Sequence, residues 1–267
     1  MKVSRFVALA AALVCGNAAA VDPAASPVLK QVLARGELRV GLEVGYMPFE
    51  MVDKSGAIIG FDIDLARLMA RKLGVKLTVV NHGWDGIIPA LVTGKVDVTL
   101  GGMTITPERA KSVDFSDPYL TIGQTVLLNR KLAATITNYR QLDGPKYRVL
   151  SKLGTTGEIA ARKHFTRAQI RTFEHQAEAA IEVRNGRADA FVYDLPFNVV
   201  MAAQFPDSLV HLDKPFTHED LGWAIRKNDP VLLAWLNEFL AGLKQDGTHQ
   251  ALYRKWFESS AWLPNVI

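Results

Sequence analysis

Two stretches of this chain alternate strand and helix in the same order, and that repetition constrains the fold more than any other feature. The first opens with Glu37–Leu42, whose alternating apolar positions suit a half-buried strand. Phe61–Leu73 carries Phe61, Leu65, Leu68, Met69 and Leu73 at helical spacing, with Asp62 a candidate cap and Gly74 closing the helix. Strands are expected at 75–80 and 96–100, and a short helix at 84–92 that ends at Gly94. A β-α-β-α-β order implies a parallel sheet with crossover helices. The second stretch repeats the plan: a strand at 147–150, a helix at 158–164, the strand Gln169–Phe173, a helix at 177–185 and a strand at 188–193. Ligands on such sheets sit beyond the carboxyl ends of the strands. Two α/β lobes presenting those ends to each other make a cleft, and clefts between domains are favoured ligand sites. The segment 230–257 reads as helices turning at 245–248. Leu232, Leu233, Trp235, Leu236, Phe239 and Leu240 form one core-packing stripe, and Leu252, Tyr253, Trp256 and Phe257 another.

The first twenty residues have a different character. Lys2 and Arg5 precede an apolar run rich in Ala, Leu and Val, and Ala18, Ala19 and Ala20 follow. A basic stub, a short apolar core and an Ala-x-Ala site are the parts of a cleavable signal peptide, expected to span residues 1–20. The run is far shorter than the roughly 20 residues that span a bilayer, and no later run is as long. An exported, soluble, periplasmic protein is therefore expected. Cys15, the only cysteine, lies inside the signal and follows Val14 rather than a small residue, which favours cleavage after Ala20 over lipidation. The exported part then holds no disulfide and no cysteine-ligated metal.

Formal charge is +4, and Lys2 and Arg5 supply two of those charges. No block of basic residues appears, so no nucleic-acid partner is expected. The six histidines form no helical His-x-x-x-His pair, and no metal or other cofactor is expected. With no Gly-x-Ser-x-Gly elbow and no cysteine after residue 20, nucleophilic hydrolysis lacks its usual parts. His218-Glu-Asp220 reads as a surface loop.

The clearest local feature is Gly101-Gly-Met-Thr-Ile-Thr-Pro-Glu-Arg109. Two glycines after a strand let backbone approach a ligand closely. Thr104 and Thr106 add hydroxyls, Pro107 suits the first turn of a helix capped by Thr106, and Arg109 offers a planar fork for a carboxylate. The same residues also read as an ordinary turn and cap with surface charges. The corresponding loop of the second stretch is Lys152-Leu-Gly-Thr-Thr-Gly-Glu158. Its free backbone N–H groups suit a small anion, while Thr155 or Thr156 reads equally as a simple N-cap. Asp194 ends a strand; it either accepts from an ammonium group or caps the helix that Pro196 suggests. Tyr46, Phe49 and Trp84 follow strand ends, where they serve either the core or an apolar slot; the polar neighbours His82, Gly83 and Asp85 favour a slot for Trp84.

Taken together the chain resembles the polar amino-acid family of bacterial periplasmic solute-binding proteins, the capture subunits of ATP-driven importers. The resemblance rests on Gly45-Tyr-Met-Pro-Phe-Glu50, Gly60-Phe-Asp-Ile-Asp-Leu65, Trp84-Asp-Gly-Ile-Ile-Pro-Ala-Leu91 and Gly102-Met-Thr-Ile-Thr-Pro-Glu-Arg109. Val113-Asp-Phe-Ser-Asp-Pro-Tyr119, Gly154-Thr-Thr-Gly-Glu158, Asp246-Gly-Thr248 and Tyr253-Arg-Lys-Trp-Phe257 stand in the same family order. It implies a two-lobed α/β fold of the type II periplasmic-binding-protein kind, each lobe with a mainly parallel sheet flanked by helices. It implies a discontinuous first lobe, 21–123 with 219–267, and a second lobe, 124–218. Chain crossings are expected near residues 119–124 and 215–221.

For the site, the resemblance implies that Arg109, Thr104 and the Gly102 backbone hold an α-carboxylate with help from Thr156. Asp194 takes the α-ammonium. Tyr46 and Trp84 sandwich the side chain, Tyr193 borders the pocket, and Glu43 and Lys152 meet the side chain's far end. One acceptor and one donor there suit an amide such as glutamine; a Glu43–Lys152 pair closed on itself suits something else. The implied partners are a free L-amino acid and an ABC-transporter permease, with the protein itself a monomer. The rival reading on this fold is a periplasmic cyclohexadienyl or arogenate dehydratase, against which an intact Asp194 and carboxylate set argue.

Overall fold

A computed structural model describes residues 22–266, so the expected signal segment and Cys15 lie outside the described residues. Ser26 caps α1 (Pro27–Arg35) by accepting from the Leu29 amide, and β1 (Glu37–Leu42) follows as expected. A two-stranded hairpin, β2 (Met51–Val52) and β3 (Ile58–Ile59), leads into α2 (Phe61–Leu73). Phe61, Leu65, Met69 and Leu73 bury one face of α2, and Gly74 ends it in the left-handed conformation that costs glycine least. Asp62 does not cap this helix. Its carboxylate reaches across to the amides of Gly101 and Gly102, at 2.6 and 3.1 Å, and Gly60 holds the cap position.

After α2 come β4 (Lys76–Asn81), a tight turn at Trp84–Gly86, α3 (Ile87–Val92), β5 (Val98–Thr99) and β6 (Val113–Phe115). The strand expected at 96–100 is therefore shorter. Asp97 turns its carboxylate to Arg35 and Arg39 at one end, and the Gly101–Gly102 turn diverts the backbone at the other. The chain then passes through β7 (Leu120–Ile122) to the second sheet. That region comprises β8 (Gln124–Asn129), β9 (Arg148–Lys152), α4 (Thr156–His164), β10 (Gln169–Phe173), α5 (Gln176–Arg184), β11 (Ala190–Asp194), α6 (Leu195–Gln204) and β12 (Leu209–His211). It returns through β13 (Glu219–Leu221) to β14 (Ala224–Arg226), then α7 (Pro230–Gln245) and α8 (Thr248–Tyr253).

The sheets share one plan, β4-β1-β5-β14-β6 and β10-β9-β11-β8-β12. In each, one strand, β14 or β8, runs against the other four. The crossings β7 and β13 pair antiparallel, Leu120 opposite Leu221 and Ile122 opposite Glu219, so both passages between sheets lie side by side. Along α7, Leu232, Trp235, Leu236 and Leu240 are buried, the stripe expected of a core helix. No helix among the described residues is long and apolar enough to cross a membrane.

Candidate functional site

The carboxyl ends of β1, β5, β9 and β11 lead directly to Glu43, Gly101–Gly102, Lys152 and Asp194, which meet in a seam between the two sheets. Lys152, only 2% exposed, donates to Glu43 Oε2 at 2.5 Å and to Gln176 Oε1 at 2.6 Å. Gln176 in turn donates to the Gly45 carbonyl at 2.9 Å, and His175 Nδ1 lies 3.4 Å from Glu43 Oε1. Glu43 and Lys152 are thus closed on each other, the arrangement that departs from a plain amide-binding pair.

Trp84 lies in the same seam. Its indole N–H donates to the Gly154 carbonyl at 3.0 Å, so a first-lobe side chain ties to the loop before α4. The Arg109 guanidinium sits 5.1 Å from the Trp84 ring centre and Lys152 Nζ 5.9 Å, within the range of cation–π attraction. Arg109 follows the Thr106 cap, whose hydroxyl accepts from the Arg109 amide at 3.2 Å, and its own Nη1 donates to the Thr104 carbonyl at 2.9 Å. Burial lowers its pKa, against the pull of Asp194 and Glu219 nearby. Where a helix was expected after Pro107 there is a single tight turn, Arg109–Lys111.

Tyr46 is a core residue as much as a site residue. It stacks on Phe49 at 4.5 Å between ring centres, meets Tyr193 edge-on at 5.6 Å, and donates its hydroxyl to Asp194 Oδ2. Burial, with Asp194 second, pushes the Tyr46 and Tyr193 hydroxyls well above the usual tyrosine range. Asp194 precedes α6 but makes no cap bond; Gln124 Nε2 donates to its Oδ1 at 2.5 Å. Burial first and the Glu219 carboxylate second raise Asp194 to about 7.

Gly102 differs from its expected role. Its amide donates to Asp62 Oδ2 at 3.1 Å and to the Tyr119 hydroxyl at 3.2 Å, so it is engaged within the lobe. Its φ of 63° and the Tyr46 ring, 2.5 Å from where a Cβ would stand, explain the glycine. Asp62 beneath it is raised to about 6 by burial, held down from higher by those amides and the Tyr119 hydroxyl.

Thr155, not Thr156, caps α4, accepting from the Glu158 amide. Thr156 is thereby free to point into the seam, where its hydroxyl meets Glu219 Oε2 at 2.7 Å and Thr104 Oγ1 at 3.4 Å. All ten residues singled out from the sequence converge here. Gln124, His175, Gln176 and Glu219 were missed. Glu219 belongs to the His218-Glu-Asp220 segment read as a surface loop, yet it is 7% exposed on β13. Thr217, His218 and Asp220 beside it are polar and show no strand period, so only the β7–β13 crossing reveals it.

Comparison with known proteins identifies the family of the chain as a whole. A model of the bacterial extracellular solute-binding proteins, family 3, matches residues 38–259. The L-cystine-binding protein TcyJ of Escherichia coli (strain K12) is 34% identical over 230 residues, 86% of each chain. Among solved structures, a putative binding component of an ABC transporter from Wolinella succinogenes DSM 1740, complexed with lysine, is 51% identical with a TM-score of 0.84. The match covers 86% of this chain and 99% of that one. An ancestral amino acid-binding protein, described as a precursor of cyclohexadienyl dehydratase, is 51% identical with a TM-score of 0.80, over 87% of this chain and all of that one.

Proposed function

The chain belongs to the bacterial extracellular solute-binding proteins, family 3, and from that premise we propose a periplasmic receptor that closes on a free amino acid and hands it to an ABC-importer permease. One observation carries it: Arg109 and Asp194 reach a single buried seam from opposite sheets. An α-amino acid bears one carboxylate and one ammonium, and it bridges such a pair when the lobes close. The lobes, 21–123 with 219–267 and 124–218, turn as units about the paired crossings β7 and β13, as a monomer. The relatives are named as binding proteins, including the one described as a dehydratase precursor, and this chain is a receptor rather than an enzyme.

At the far end, Glu43 is the acceptor for a side chain that ends in a nitrogen donor. Glutamine donates its amide to Glu43 and accepts from Lys152, entering a pair that now closes on itself at 2.5 Å. A cationic side chain needs Glu43 alone. Two observations favour that second ligand: Lys152 has Gln176 to turn to, and a half-identical relative was solved with lysine. Calorimetric titration of the wild type and Lys152→Met with L-glutamine, L-lysine and L-arginine separates them. The glutamine reading predicts at least a tenfold loss of glutamine affinity in the variant. The cationic reading predicts that lysine or arginine binds the variant as tightly or more tightly, because Glu43 is released. A wild type that binds no amino acid contradicts the receptor itself.

A further inference from the structure

Four donors surround the two carboxylate oxygens of Glu219. Thr156 Oγ1 donates to Oε2 at 2.7 Å, Thr104 Oγ1 at 3.1 Å and Gln124 Nε2 at 3.3 Å, while Thr217 Oγ1 donates to Oε1 at 2.8 Å. A hydroxyl has one proton to donate and two lone pairs to offer. When Thr104 and Thr156 commit their protons to Glu219, both turn lone pairs, not protons, toward anything else in the seam. The Gln124 amide nitrogen already illustrates the result. It donates to Asp194 Oδ1 at 2.5 Å and lies 3.3 Å from both Thr156 Oγ1 and Glu219 Oε2, so one nitrogen centre is cradled by three acceptors.

We propose that Glu219 is a specificity-determining residue that fixes the Thr104 and Thr156 hydroxyls as acceptors, so that they form with Asp194 a subsite for the ligand's α-ammonium group. The proposal rests on the amino-acid receptor reading and changes its detail. Thr104 and Thr156 leave the carboxylate side of the ligand, which falls to Arg109, and join the ammonium side. The same proximity of Glu219 to Asp194 is what raises the latter's proton affinity after burial. Glu219 lies on the crossing strand β13 and joins Thr104 of one lobe to Thr156 of the other, so the subsite is assembled only when the lobes meet. A ligand with a carboxylate but no α-amine finds three acceptors and no donor there, and the receptor rejects it.

The test compares two probe pairs that differ only in the α-amine, L-lysine against 6-aminohexanoate and L-glutamine against glutaramate, by calorimetry. The wild type is expected to prefer the amino acid at least a hundredfold in one pair. In Glu219→Met the hydroxyl protons are released, and that preference is expected to fall at least tenfold through weaker amino-acid binding. A merely structural defect weakens both members of a pair equally and leaves their ratio unchanged, which overturns the proposal. Should Glu219→Met fail to fold, Thr104→Val carries the same comparison; a lost preference supports the acceptor role and an intact one overturns it. A wild type that binds neither L-lysine nor L-glutamine defeats the receptor reading for these ligands and the proposal with it, an outcome distinct from an unchanged ratio.

Discussion

Asp194 is pulled in opposite directions by its surroundings. Burial and the Glu219 carboxylate raise its proton affinity to about 7, while Tyr46, Gln124 and Arg109 favour its charged form. The ordinary value is 3.8, so between these limits the folded chain holds a proton that the unfolded chain has released. Stability without ligand therefore declines as pH rises through that window, by the linkage of proton uptake to folding. On the proposed assignment of Asp194 to the ligand's ammonium group, binding has the opposite preference, because that group pairs with the ionised form. Affinity is expected to weaken as pH falls from about 8 to 5.5, with a proton released on binding near pH 7. Titration in two buffers of different ionisation heat measures that proton, and Asp194→Asn should abolish its release; a flat profile contradicts the assignment. Arg109→Ala is expected to cost about 2–5 kcal/mol of binding, the loss seen when one member of a buried charge pair is truncated. Affinity retained in that variant would mean that the ligand carboxylate lies elsewhere.

At the scale of elements, the two crossings are held by close backbone packing. A Cβ on Gly123 would stand 2.2 Å from the Thr217 carbonyl oxygen and 2.7 Å from Pro215 Cβ, both on the segment before β13. Gly123→Ala is expected to destabilise the chain by about 1–3 kcal/mol, the usual cost of overpacking. Urea unfolding reads this as a lower midpoint at unchanged slope; an unchanged midpoint contradicts the crossing geometry. Elements with a strong local signal were legible in the sequence. Glu37–Leu42, Phe61–Leu73 and Gln169–Phe173 match their expected bounds, because alternation or helical spacing runs unbroken to a glycine or polar stop. Pro230–Gln245 and the turn after it were equally plain. What escaped depends on contacts between distant segments. Asp62 looks like a helix cap by position, but its partners, Gly101 and Gly102, lie some forty residues away. Glu219 opens the crossing strand β13, too short to show a period, and Gln124 opens β8 just after the crossing β7, so their roles arise only where the two passages bring them together.

For the molecule as a whole, the two sheets repeat one strand order, and the acids and bases of the seam are drawn from both. Glu43 with Lys152, Trp84 with the Gly154 carbonyl, Tyr46 with Asp194 and Thr104 with Thr156 each join one lobe to the other. A ligand that adds to these links stabilises the closed arrangement in proportion to its occupancy. At 100 times its dissociation constant it should contribute about 2.7 kcal/mol. The most direct test of the receptor is thermal melting of the purified protein against each common amino acid at saturating concentration. A rise in melting temperature for a narrow set whose side chains end in a nitrogen donor is predicted. No rise with any amino acid, or conversion of prephenate to phenylpyruvate by the same preparation, would contradict it.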